Sequence, residues 1–528
     1  MSEEKKPLWH IILALQMFLL LAALDQTVIT TAMPRIIEQL GGFDRYSWAT
    51  TSYLFSSTIA VPVAGNLSDR IGRKKSLLVA VIIFVLASVA CGTATSFPGF
   101  TIDGMNQLIV YRVLQGIGGG AIVSLSFSVV GDLFPPAERG KYQGYFASVF
   151  ALASIIGPTL GGYVADVSSW RWLFFINLPI GIFGGLLFAR CFKERSISVP
   201  QTAFDSRGLL LFCFAASCLL LGISLPFNGT TPIINVLLLL MSAVFTALFV
   251  RIEKSAQSPF LPVDLLGNKI ILISITSLAI YGIGMFGASL LVPLYMQSIR
   301  GMTVSQSGVA LSPLILTVAV SSILSGQWMT RTGKYKMIVL TGLSMMTVGV
   351  FALASLPQNV SVPMLIVIMA FVGFGIGILL PIYTIVIQNA VSDDLIGTVT
   401  GLSQFSRSIG GTLGVACLGS LLIYLYNANL SKHLPVNMPS SVVASLQNPL
   451  EPKKLRQRLE NNSEVRGNKE LVEATITKMQ TALYSSIQLI YLLYGSTLGF
   501  VVLLNLLLEE LPLRSSKTET SREIPAQS

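Results

Sequence analysis

Gly65-Asn66-Leu67-Ser68-Asp69-Arg70-Ile71-Gly72-Arg73-Lys74-Lys75 returns, weakened, as Gly326-Gln327-Trp328-Met329-Thr330-Arg331-Thr332-Gly333-Lys334-Tyr335-Lys336. Two further pairs follow in the same order at nearly the same offset. Gln115-Gly116-Ile117-Gly118-Gly119-Gly120 matches Val372-Gly373-Phe374-Gly375-Ile376-Gly377, and Ile156-Gly157-Pro158-Thr159-Leu160-Gly161 matches Ile409-Gly410-Gly411-Thr412-Leu413-Gly414. Three ordered matches describe a duplicated chain whose halves run in the same direction. Parallel repeats around a midplane site are a transporter architecture, because two similar bundles can rock about one cavity.

The repeats lie in a chain whose folding solvent is lipid. Of 528 residues, 52% are hydrophobic and 11% charged, against about a quarter charged in soluble domains. The apolar residues gather in runs near the ~20 residues that cross ~30 Å of hydrocarbon. Such runs fall near 8–33, 47–66, 76–96, 104–131, 139–165, 171–192, 208–227, 233–251, 270–297, 305–329, 337–356, 362–389, 395–425 and 482–508. This predicts an all-α polytopic membrane protein: a six-helix bundle over 1–195, two inserted helices over 196–268, and a second six-helix bundle over 269–528. The first run follows a short charged start and lacks a small-residue cleavage site, so it reads as a retained helix and not a signal peptide.

Net charge is +10, which in a soluble protein would raise nucleic-acid binding. Here Arg70, Arg73, Lys74, Lys75, Arg139, Lys141, Arg190, Lys193, Arg195, Arg207, Arg331, Lys334 and Lys336 fall between runs or at their ends, on one side. That bias sets topology, places both termini in the cytoplasm, and calls for a bilayer and no nucleic acid as partner. The long segment 427–481 falls outside by parity; its length exempts Lys453, Lys454, Arg456 and Arg458 from the rule. With acidic residues interleaved, it reads as a solvated, partly helical loop. Sequons at Asn228 and Asn461 are too short a pattern to carry weight. Cys91, Cys191, Cys213, Cys218 and Cys417 lie in or beside apolar runs without metal-ligand spacing and are assigned to packing.

Ionisable groups in hydrocarbon cost several kcal/mol and are functional candidates by default. Asp25 is the one acidic residue well inside a predicted span, and Arg112 and Arg407 are the clearest cations. Asp25 and Arg112 each lie about 12 Å from the outer face at ~1.5 Å per residue, so they share a depth. Asp25 reads either as a proton carrier tuned by Arg112 or as one half of a permanent structural pair. Arg407, beside Gln404, reads as a hold on a polar or anionic substrate group or as a partner of nearby carbonyls.

At the turn after the second run, Asp69 is placed to accept from a helix N-terminus of the other half and latch an inner gate. Gly65, Arg70, Gly72 and Arg73 belong to the same turn, and Asp132 is a candidate partner for Arg73. Gly157, Pro158, Gly161 and Gly162 suit a helix that bends and packs closely. Gln115, Gln297, Tyr383, Gln388, Gln404 and Arg407 are the substrate-cavity candidates, with Asn389 beside them; interfacial anchoring is the alternative reading. There is no G-x-x-x-x-G-K-[ST] phosphate loop, and neither His10, at the very start of the first run, nor His433 lies well inside a span. Enzymatic activity, metal and cofactor are therefore not expected.

Together these motifs resemble the major facilitator superfamily, in particular its fourteen-helix drug:proton antiporter branch, along nearly the whole chain. Asp25-Gln26-Thr27-Val28 through Ala32-Met33-Pro34 is similar to the branch's first-helix motif, with Thr30 and Thr31 departing from it. Gly65 to Lys75 matches the loop 2–3 signature. Arg112 with Gln115-Gly116 resembles the helix 4 motif implicated in proton transfer, and Gly157-Pro158 with Gly161-Gly162 resembles the helix 5 antiporter motif, whose leading Gly is Ala153 here. Trp170-Arg171-Trp172, Phe175-Ile176-Asn177, Pro179-Ile180-Gly181 and Arg407-Ser408-Ile409-Gly410-Gly411 are also common in that branch. The resemblance implies a monomeric antiporter exchanging protons for an outgoing small molecule, often cationic and amphipathic. A proton-coupled or facilitated importer of a metabolite such as a vitamin, and a non-transporting receptor or scaffold using the outer loop, are the rival readings.

Overall fold

The computed structural model describes residues 5–41, 46–95, 103–194, 205–224, 231–256, 259–302, 304–433 and 469–513. The described residues form helices and short connections, with no strand among them. The first half comprises α1 (Lys5–Leu40), α2 (Tyr46–Ile71), α3 (Arg73–Thr93), α4 (Gly104–Leu133) and α5 (Pro136–Val167). A short α6 (Trp172–Phe175) then leads across Ile176 into α7 (Asn177–Cys191). After α8 (Ser206–Ser224) and α9 (Thr231–Glu253), the second half comprises α10 (Lys269–Leu294), α11 (Val304–Thr332), α12 (Lys336–Ser355), α13 (Val362–Asn389), α14 (Ile396–His433) and α15 (Lys469–Leu506). Eleven helices among the described residues are long and apolar enough to cross a membrane, and Lys269–Met285 is a shorter apolar helix. These numbers are compatible with fourteen crossings.

The duplication read from sequence is a duplication of packing. In the first half α2 packs on α4, α3 on α4, α1 on α5 and α1 on α7; in the second, α11 packs on α13, α12 on α13, α10 on α14 and α10 on α15. The repeated turns match in backbone too: Gly72 has φ 99° and Gly333 φ 66°, a region that L side chains enter only with strain. Each turn also receives a carboxylate from beyond the last helix of its own half. Glu194 Oε1 accepts from Lys74 N (3.1 Å), and Glu510 Oε1 accepts from Tyr335 N (2.9 Å) and Lys336 N (3.2 Å). A carboxylate there satisfies N–H groups that a helix start leaves without intrahelical partners.

The inserted helices stand apart from this repeat. α8 packs on α9 and touches α2 and α14, with Phe212 against Phe249, Phe260 and Phe405. α9 turns Ile233, Val236, Leu237, Leu240 and Val244 outward, an apolar face of the kind that meets lipid tails.

Helix ends differ from the apolar runs, because a helix continues past the hydrocarbon wherever its backbone bonds still close. α1 continues to Leu40, α14 reaches His433 and α15 begins at Lys469, so both ends of the segment 427–481 are helical. Residues 434–468, with Lys453, Lys454, Arg456, Arg458 and the sequon at Asn461, lie outside the described residues, as does the sequon at Asn228.

Glycines set the tightest helix contacts. A Cβ at Gly118 would lie 2.7 Å from the backbone N of Phe84, whereas one at Gly162 meets nothing within 4 Å. Gly118→Ala is expected to cost about 1–3 kcal/mol, the usual range for overpacking, and Gly162→Ala to be neutral or mildly stabilising. Thermal unfolding of the two variants in one detergent checks the contrast; equal midpoints would refute it.

Candidate functional site

Two clusters of polar groups interrupt the apolar interior of the first half. The deeper one joins α1 and α4. Arg112 Nη1 pairs with Asp25 Oδ2, and the side chains are 0% and 2% exposed. Such a pair persists in a low-dielectric interior only when its remaining atoms are satisfied, and most are. Arg112 Nε donates to Ala49 O (3.0 Å) and Nη1 to Gln115 Oε1 (2.7 Å), while Gln115 Nε2 donates to Asp25 Oδ1 (2.8 Å) and Ser88 Oγ (2.7 Å). Asn177 Nδ2 reaches the same Ser88 Oγ at 3.2 Å, and the guanidinium lies 4.3 Å over the Tyr53 ring. Arg112 Nη2 has no hydrogen-bond partner among the described residues.

Gln115 therefore belongs to the ion-pair network in this structure, not to a substrate-lined wall. Tyr53, Ser88, Asn177 and the Ala49 carbonyl are members that sequence reasoning missed; a lone polar residue in an apolar run carries no sign of the helix it will face. A small pocket bordered by Leu24, Val28, Ile29, Leu160, Phe174 and Asn177 opens beside Asp25.

Of the helix 5 glycines, Gly157 reaches the neighbourhood of Asp25 through α1. Gly157 is so close to Thr27 that no Cβ fits between them, and the Thr27 hydroxyl donates to Ala153 O at 3.1 Å. Gly161 is buried. Gly162 has open space, so close packing holds for only part of the motif. The side chain of Pro158 lies outside the described residues, and α5 is helical without interruption from Pro136 to Val167.

The second cluster lies at the basic end of the bundle, where the halves meet. Asp69 accepts from Gly397 N (3.0 Å), Thr398 N (2.7 Å) and Thr398 Oγ1 (2.8 Å) at the start of α14. It also pairs with Arg73, whose Nε donates to Asp132 Oδ2 at 2.8 Å. One carboxylate thus bridges the halves through a helix N-terminus, where N–H groups and helix dipole both favour negative charge. Arg70 stays partly exposed.

Around Asp69 the halves touch through glycine pairs. Gly65 meets Gly397, and Gly326, its repeat counterpart, meets Gly140. Asn66 Nδ2 donates to Phe260 O (2.6 Å), tying α2 to the segment after α9. Arg139 Nη1 donates to Gln388 Oε1 (3.1 Å), and Gln388 Nε2 donates to Thr400 Oγ1 (2.7 Å).

Burial and hydrogen bonds place the remaining cavity candidates. Gln388 is buried in the closure between the halves, because it lies in the last turn of α13. Tyr383 is fully buried inside the second half, its hydroxyl donating to Asn505 Oδ1 (2.9 Å), and Asn505 donates on to Ser277 (2.9 Å). Asn389 is buried and donates to Pro512 O (3.2 Å). Gln297 sits half-buried in a π turn, Tyr295–Ile299, at the end of α10. Gln404 is buried, and its Oε1 accepts from Arg407 Nε at 3.1 Å. Among the described residues no group of three or more His, Cys, Asp or Glu is arranged to hold a metal.

Comparison with known proteins places this geometry. Residues 17–415 match the model of the Major Facilitator Superfamily. The multidrug transporter protein MdtP of Bacillus subtilis is 38% identical over 411 residues, covering 76% of this chain and 73% of that protein. Multidrug resistance protein 3 of the same organism is 29% identical over 487 residues, covering 92% and 91%. Among solved structures, the human organic anion transporter MFSD10 superposes with a TM-score of 0.59 at 15% identity, over 94% of this chain and all of that one. The proton:xylose symporter XylE gives 0.57 at 14%, over 96% and 97%; at such identities the likeness concerns the fold.

Proposed function

This chain belongs to the Major Facilitator Superfamily, and from that premise we propose that it is a proton-coupled antiporter exporting small amphipathic compounds, drugs among them. Membership makes it a multi-pass membrane transporter and not an enzyme. The coupling rests on one observation, the buried Asp25 carboxylate held by Arg112 and Gln115.

Protonating Asp25 removes the charge that compensates Arg112, and an uncompensated buried cation is strongly unfavourable. The protonated first half therefore favours any rearrangement that gives Arg112 a new partner or water. Proton binding and conformation are coupled through that differential free energy. Fourteen crossings in two six-helix bundles with two inserted helices, acting as a monomer, provide the rocking frame. Gly157 of α5, which touches Thr27 of α1, carries the motion past Asp25.

In this reading the basic end faces the cytoplasm with both termini. The contacts of Asp69, Arg139 and the Gly65 and Gly326 pairs close that end, and proton release and substrate capture alternate as they open. The names of the two Bacillus relatives support drugs as substrates.

Ethidium efflux from energised cells expressing the protein, with and without a protonophore, tests the reading. Efflux above the control that collapses with the protonophore is expected. Efflux indifferent to the protonophore would overturn the coupling, and absence of efflux from well-expressed protein would favour a metabolite carrier.

A further inference from the structure

Among the described residues, the second half holds a cation with no acid paired to it. Arg407 lies about 16 Å along α14 from Ile396 at ~1.5 Å per residue, inside the apolar stretch of that helix. Among the described residues no carboxylate pairs with it. Its Nε is spent on Gln404 Oε1, and it sits beside Tyr281 of α10. The bond from Nε fixes the Gln404 amide, because a flipped amide would set donor against donor. Gln404 Nε2 is thereby a buried donor, and it has no partner among the described residues; the residue is 1% exposed.

The local inventory is one-sided. Among the described residues the terminal nitrogens of Arg407 and the amide NH2 of Gln404 meet no acceptor, and the two groups are fixed relative to each other by a hydrogen bond. The Gln404 NH2 is buried without an acceptor, an arrangement that costs stability, and the half-buried Arg407 carries its charge beside it, so the pair is poised for an acceptor arriving from outside. A planar guanidinium matches a carboxylate or sulfonate in two parallel hydrogen bonds. The first half is opposite in kind: its arginine is already neutralised by Asp25.

We infer that Arg407 and Gln404 form a receptor for an oxyanion, so that the transported class includes amphipathic carboxylates and sulfonates as well as cations. This names a substrate class for the export proposed above and rests on that reading. Equilibrium binding nevertheless tests it without any proton gradient, so the two can fail separately.

The probe is pyrenebutyrate, compared with its methyl ester, binding to the full chain in nanodiscs of uncharged lipid and followed by fluorescence. Wild type is expected to favour the acid by about ten- to a hundredfold, the ratio for a hydrogen-bonded charge. Arg407→Met should bind acid and ester alike while keeping the wild-type affinity for the ester, and Arg407→Lys should keep part of the preference. Removing an uncompensated charge should leave the thermal unfolding midpoint unchanged or raised. If Arg407→Met fails to fold, Gln404→Leu carries the test with a smaller loss of preference. Equal binding of acid and ester by wild type, or a preference that survives loss of Arg407, would overturn the inference.

Discussion

Asp25→Asn is expected to reduce gradient-driven export to the level of protonophore-treated cells. Asparagine keeps the shape of the side chain and an oxygen that can accept from Arg112, but it cannot bind and release a proton. The substitution also strands the Arg112 charge, and breaking one side of a buried pair costs about 3–5 kcal/mol. A loss of stability would blur the result, so the double variant Asp25→Asn with Arg112→Gln is part of the experiment. Removing both charges should restore much of the unfolding midpoint without restoring export. The two readings of the pair separate there: a merely structural pair predicts that export returns with stability. Export by Asp25→Asn at wild-type rates under a proton gradient would end the proton-carrier role outright.

The second large effect concerns the latch. Asp69→Ala removes three hydrogen bonds to a charged acceptor from Gly397 and Thr398, each typically worth about 1.5–3 kcal/mol. It leaves Arg73 paired with Asp132. Even if water recovers half of that, the balance between closed and open at the basic end should shift on the order of a hundredfold. Spin labels at Lys141 and Arg331, both exposed at that end, should then report a longer mean separation in purified protein, and turnover should fall. Gly326→Val should act in the same direction by a different cause, since a side chain there overlaps the Gly140 backbone. Distance distributions unchanged by Asp69→Ala would mean that the glycine contacts alone hold this end closed. The latch would then be discarded.

The reach of sequence differed between the two clusters for a physical reason. Asp69 was legible with its partner type because a charged turn between spans has few places to go, and the start of a helix in the other half is one. Arg73 with Asp132 followed from the same constraint. Asp25 and Arg112 were legible as a matched depth, since rise per residue is fixed whatever the packing. Gln388 and Tyr383 were not legible. α13 is apolar nearly all round, so no polar stripe records which face meets a cavity and which meets another helix. Their partners, Arg139, Thr400, Asn505 and Ser277, are set by how helices distant in sequence dock.

By itself the sequence determined the solvent, the duplication and the short roster of charges in the spans. Each of these is a property of single segments: apolar length against bilayer thickness, repeated glycines against close turns, charge against hydrocarbon. The tertiary structure alone decided azimuth and partnership. It turned Gln115 toward Asp25, added Ser88 and Asn177, withdrew Tyr383 into the second bundle, and left Arg407 with Gln404 and, among the described residues, no carboxylate. Rotation about a helix axis changes no residue's depth in the membrane, so the free energy recorded in the run of apolar residues is blind to it. Only the packing of one helix against another fixes that angle.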